Sequence, residues 1–181
     1  MSLDLTKPAV GSTGWGEAVN NNFEDIEQVH GCQIFVYRTA SLNISASTWT
    51  DIPFTGGHPV LVGGSHSTST DPEEVTVDYA GTYLITYEVE QWCQAGAPRN
   101  QLRVLADGTE IEGSFRQHGP HSNTTQFRGQ LAGSLICELS ANDAVKLQVG
   151  SSNAADDVAY NAANPAPTTY VCASMTIHRI A

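Results

Sequence analysis

Apolar and polar residues alternate with period two along Thr82 to Trp92 (TYLITYEVEQW), Phe127 to Leu139 (FRGQLAGSLICEL), Val145 to Val149 and Thr169 to Ile180. Alternation places apolar side chains on one face of a strand and polar ones on the other. The pattern predicts an all-β protein built mainly from antiparallel sheet with one buried face. Further strands are expected at Gln33 to Thr39, Thr48 to Phe54, Pro59 to Val62, Glu74 to Tyr79, Asn100 to Ala106 and Thr109 to Phe115, and the Val145 to Val149 alternation sits in a strand from Ala144 to Gly150, about ten in all. Ala80-Gly81 and Asp107-Gly108 separate strands, and Asp-Gly favours a two-residue hairpin because both turn positions tolerate positive φ. Phe127, Leu131, Leu135, Cys137 and Leu139 share a face with Gly129 and Gly133, where small residues admit a close neighbour. Val171, Ala173, Met175 and Ile177 form the expected inward face of the last strand.

A different pattern precedes the strands. Residues 3 to 14 carry a Pro, two Gly and small polar residues, which suits an extended arm. Ser12 or Thr13 can cap a helix from Trp15 to Val29 that Gly31 closes. Trp15, Val19, Phe23, Ile26 and Val29 make a narrow apolar seam among acidic residues. A helix of about 15 residues containing Asn20, Asn21 and Asn22 is marginal alone, so its seam needs cover. That cover is the chain's own β domain, other copies of the chain, or another protein. The expected organisation is an arm and helix over 1–31 and a β domain over 32–181. Strands joined by loops of mixed length fit a two-sheet sandwich with Greek-key or jelly-roll connections.

At 181 residues the chain suits one core plus an extension. The 8 Lys and Arg face 19 Asp and Glu, and the net charge of −11 argues against nucleic acid or anionic lipid as partner. No basic segment leading into an apolar run opens the chain, and no apolar stretch is long enough for membrane insertion, so synthesis in a cytoplasm is expected. Cys32, Cys93, Cys137 and Cys172 are widely spaced within strand-like runs and are expected as free thiols.

Three polar stretches, Gly56 to Asp71, Arg116 to Gln126 and Ser151 to Thr168, are expected as surface loops, where binding usually occurs. His118 and His121 could ligate a transition metal, and exposed loop histidines are the simpler expectation. Asp156, Asp157, Asn153 and Asn161 form an oxygen-rich cluster compatible with calcium or with a solvated loop. Trp92, Tyr160 and Tyr170 suit stacking on sugar rings, with polar residues such as Asn123 in reach, or burial in core or interface. The chain carries no Gly-x-Ser-x-Gly, His-Glu-x-x-His or phosphate-cradling glycine loop, so neither enzymatic activity nor a cofactor is expected.

Two resemblances add to this reading. VDYAGTYLITYEVEQW, the Asp-Gly hairpin, GQLAGSLICELSANDAVKLQVGSS and the closing TYVCASMTIHRI are similar to the globular heads shared by the complement first component's recognition subunit and tumour necrosis factor. Ala80, Gly81, Tyr83, Leu139, Asp143, Val145 and Leu147 carry the likeness, with Asn142 where that family often has Gly. The resemblance implies a ten-stranded jelly roll that assembles as a homotrimer. The opening LTKPAVGSTGWGEAVNNNFEDIE resembles N-terminal segments of tailed-bacteriophage fibre and appendage proteins, through Leu5, Pro8, Gly11, Trp15, Asn20, Asn22, Phe23 and Ile26. Together they imply a non-enzymatic virion appendage, a tail fibre, spike or head fibre. Its N-terminal arm and helix would dock on other virion proteins of tail or capsid, and its knob would contact a host-surface glycan. A capsid decoration protein is the alternative within the class; a polysaccharide-acting enzyme or cytokine-like ligand is the alternative outside it.

Overall fold

The computed structural model of the chain describes residues 31–56, 60–93, 99–118, 127–152, 157–158 and 171–181. The expected arm and helix, with Leu5, Pro8, Trp15, Val19, Phe23, Ile26 and Val29, lie outside these residues.

Every regular element among the described residues is a strand: β1 (Gln33–Arg38), β2 (Leu42–Asn43), β3 (Trp49–Asp51), β4 (Val60–Val62), β5 (Gly64–His66), β6 (Val75–Val77), β7 (Gly81–Cys93), β8 (Asn100–Ala106), β9 (Thr109–Glu110), β10 (Arg116–His118), β11 (Phe127–Leu139), β12 (Ala144–Ser151), β13 (Asp157–Val158) and β14 (Ala173–Arg179). They form two antiparallel sheets. In the first, sheet A, the order is β2-β13-β7-β14-β1-β4, with β11 on the other side of β7. In the second, sheet B, it is β10-β8-β12-β6-β5, with β3 joined to β12 and β9 to β8.

The inward positions of both sheets meet in one core. Ile34, Val36, Tyr83, Ile85, Val89, Met175 and Ile177 come from sheet A, and Val75, Val77, Leu102, Val104, Val145, Leu147 and Val149 from sheet B. Ile44, Ile52 and Phe54 fill in from segments beside the short strands. Each such side chain taken wholly out of water contributes about 1.5–3 kcal/mol, which is what holds two sheets with no helix between them. The all-β sandwich expected from the alternation is therefore present.

β8 and β11 occupy the residues the alternation predicts, because turn residues bound them. Asp107 and Gly108 have φ of 46° and 76°, the pair of left-handed residues a tight hairpin needs, and they link β8 to β9. Asn142, at φ 71°, adopts the conformation that favours glycine in the turn before β12.

Several expectations are corrected. The strand expected over Thr109 to Phe115 stops at Glu110: Gly113 at φ 81° turns the chain, and Ser114 N bonds back to Ile111 O at 3.0 Å. The loop expected from Arg116 instead begins as β10, which pairs with β8 although it has no apolar residue. The strand expected at Pro59 to Val62 is β4, but the polar stretch from Gly56 also contains β5, and the one from Ser151 contains β13, so Asp157 lies in a strand. Val171 is 39 % exposed and does not join the inward face of β14, which Ala173, Met175 and Ile177 form as expected. Cys32, Cys137 and Cys172 are free thiols, as expected. Burial pushes the pKa of all three up, and the Cys172 thiol donates to the carbonyls of Arg38 and Ala40, each at 3.3 Å.

Candidate functional site

The register brings several of the expected ligand-binding positions to one end of the sandwich. Trp92, near the end of β7, is paired with Arg128 on one side and with Asp157 on the other. His118 ends β10 opposite Asn100, which is itself opposite Ser151. At this end of sheet B, Arg99 N donates to Ser152 Oγ at 2.9 Å. Trp92, His118 and Asp157 are thus gathered by strand ends; His121, Asn123, Asp156 and Tyr160 lie outside the described residues.

Beneath these strand ends the core turns polar. Gln91, Asn100 and Ser151 are 1 %, 2 % and 3 % exposed. The Gln91 amide has neither its nitrogen nor its oxygen hydrogen-bonded. Leaving such a group unpaired costs about 1–3 kcal/mol. Among the described residues no group of three His, Cys, Asp or Glu side chains is arranged to hold a metal.

A second surface was not foreseen as a site: the outward face of sheet A. Val62, Gln33, His178, Leu84 and Ile136 lie in one row across five strands. The next row holds Val60, Phe35, Thr176, Thr86 and Ser134. Ile136 is 65 % exposed, Val62 54 % and Val60 39 %. Phe35 stacks on Tyr37 with ring centroids 5.8 Å apart, beside a concavity of about 390 Å³ floored by small residues such as Ser174, Thr176 and Ala132. Glu88 projects there and accepts from Ser174 Oγ at 3.2 Å and Gln130 Nε2 at 2.9 Å. The sequence signal was the failure of alternation in Ile34-Phe35-Val36-Tyr37, Tyr83-Leu84-Ile85 and Val60-Leu61-Val62.

Comparison of the chain with protein-family models and with curated proteins gives no match.

Proposed function

We propose that the chain is a structural virion appendage protein of a tailed bacteriophage. It assembles as a homotrimer, docks on tail or capsid proteins through its N-terminal residues, and presents a jelly-roll knob that adheres to a host-surface glycan. The observation that carries this reading is the outward face of sheet A. Exposed Val60 and Val62 at one margin of this face and Ile136 at the other, with Phe35 and a shallow concavity between them, are apolar surface that a solitary domain has reason to avoid and a self-associating one has reason to keep. The strand order β4-β1-β14-β7-β11 against β5-β6-β12-β8-β10, with β7 to β8 and β11 to β12 passing between sheets, supports the jelly roll. A cyclic assembly sets the N-termini of its copies at one level around the symmetry axis, which suits attachment to a symmetric position on a particle.

Light scattering on the full-length protein tests the assembly directly. A mass three times the 19.3 kDa of one chain is expected, and a monomer would remove the reading's main support. In particles, Trp15→Ala with Phe23→Ala is expected to abolish incorporation while the purified protein stays trimeric. Purified trimer is expected to bind host cells; binding to undecorated capsids in place of cells would assign capsid decoration.

A further inference from the structure

The outward face of sheet B carries an aromatic and amide cluster that the fold does not require. Gly150 on β12 lacks the side chain that would otherwise stand beneath Trp49: a Cβ there would lie 3.2 Å from the indole Cε3. Trp49 can therefore lie against the sheet, and Phe115 meets it edge-on with ring centroids 6.4 Å apart and planes at 79°. Phe115 is 41 % exposed. The Arg103 guanidinium sits 4.1 Å from the centre of the indole ring. It is fixed there by donating from Nε to Gln148 Oε1 at 2.8 Å and from Nη1 to Glu110 Oε2 at 3.0 Å. Alongside, Gln101 Nε2 donates to Gln117 Oε1 at 2.9 Å.

We infer that this face is a saccharide-binding site. An aromatic pair with rigid planar polar groups beside it matches a pyranose, whose C–H face stacks on a ring while its hydroxyls each donate and accept. Hydrogen-bonding capacity remains for such a ligand: among the described residues Arg103 Nη2 and the Gln117 amide nitrogen donate to nothing, and Gln101 Oε1 accepts nothing. The charge balance selects a neutral sugar. Arg103, the cation over the indole, is already paired with Glu110, Arg116 is turned onto the carbonyls of Gly113 and Phe115, and a chain of net charge −11 repels a polyanion. A hydrophobic peptide would need an apolar groove where this face offers amides. The groups are held by one another before any ligand arrives, which lowers the ordering cost of binding. The face also lies on the opposite side of the sandwich from the patch assigned to self-association, so both can be occupied together.

The inference deepens the adhesion reading and rests on it for the class of ligand. The test is affinity electrophoresis of the full-length protein in gels containing the neutral polysaccharides mannan, dextran or xylan, with polyanionic lipopolysaccharide as the charge contrast, run beside a host-cell binding assay. At least one neutral polysaccharide is expected to retard the wild type, with Phe115→Ala and Gln117→Ala each weakening retardation at least about tenfold. Both sheet B changes are at exposed positions, and circular dichroism is expected to show them folded. Retardation that Phe115→Ala and Gln117→Ala retain, or no retardation in any gel, overturns the site. If the wild type then still binds cells, adhesion stands without it; if cells are not bound either, the adhesion reading falls too.

Discussion

Tyr87 and Gly133 are cross-strand partners on β7 and β11, and the Tyr87 ring occupies the space that a side chain on Gly133 would need. A Cβ on Gly133 would run into the hydroxyl and the ring carbons of Tyr87. From there the Tyr87 hydroxyl donates to the carbonyl of Ser114, whose own Oγ bridges the backbone N–H and C=O of Val104 at 3.1 and 3.2 Å. One buried phenol thus ties sheet A to sheet B, and one glycine makes room for it. The sequence foretold a close approach at Gly133; the approaching group is a side chain, not a neighbouring strand.

Gly133→Ala is expected to cost about 1–3 kcal/mol, because the neighbour is a packed ring and not a flexible chain end. Tyr87→Phe removes the only donor described for the Ser114 carbonyl and is expected to cost about 1–2 kcal/mol. Urea denaturation of Gly133→Ala in a Tyr87→Leu background separates the causes. The glycine penalty shrinks there if the ring is its source and persists if backbone freedom is.

Lys146 stands among three carboxylates on sheet B: Glu74 at 2.8 Å, Asp51 at 3.7 Å and Glu73 at 3.8 Å. Its pKa is raised, first by the hydrogen bond to Glu74, against partial desolvation, with Asp51 and Glu73 adding to the rise. Lys146→Met leaves three like charges facing one another and is expected to cost about 1 kcal/mol in low salt, and about half that in 1 M salt. A group whose folded pKa lies above its unfolded one contributes fully below the unfolded value and loses that contribution as pH rises through the folded one. The gap between wild type and variant should therefore persist up to about pH 10 and close above it. Thermal melts across pH at two salt concentrations measure both effects.

What the sequence made legible follows from physical range. Strands whose pattern is local, such as β8 and β11, could be bounded from neighbours along the chain. β10 could not, since Arg116-Gln117-His118 has no apolar alternation and is a strand only because Leu102, Gln101 and Asn100 lie opposite. β13 is likewise made by its partners Trp92 and Asn43. The same limit applies to sites. Trp92, His118 and Asp157 were singled out by residue type, and the register gathers them at one end. The Trp49, Arg103 and Phe115 cluster was invisible because its members meet only across strands, and Gly150, which admits the indole, reads in sequence as an ordinary strand glycine. Leu84 and Ile136 interrupt the alternation of their strands and were not singled out, and their alignment in one row needs the register.

Cys32 is fully buried beneath the start of β1, and burial pushes its thiol from 9.0 up to about 11, partly offset by a hydrogen bond with Tyr83. Tyr83 is raised in the same direction, again mainly by burial. Between those two pH values an unfolded chain releases the thiol proton that the folded one keeps. Stability is therefore complete below about pH 9 and falls as pH climbs through about 11, by roughly 2–3 kcal/mol for this one group. Urea midpoints at pH 8, 9.5 and 11 should show the fall, and Cys32→Ala should start lower from lost packing yet fall less steeply. A native-state alkylation footprint at pH 8 is expected to leave Cys32 and Cys172 unmodified.

Ile136 offers the sharpest test of which face the molecule uses on itself. At 65 % exposure it contributes little to the folded monomer, so Ile136→Glu is expected to change monomer stability by no more than about 0.5 kcal/mol. In an assembly that covers sheet A, the same change buries a carboxylate in each copy, in a row whose other members are Val62, Gln33, His178 and Leu84. An ion buried without a well-placed partner costs several kcal/mol, so association should weaken at least about a hundredfold. Phe115→Glu, at a position 41 % exposed on sheet B, places its charge outside that interface and is expected to leave the mass unchanged. Light scattering over a dilution series distinguishes the two variants. A trimer that survives Ile136→Glu and dissociates with Phe115→Glu would exchange the roles of the two faces, moving self-association to sheet B and leaving sheet A free for a ligand.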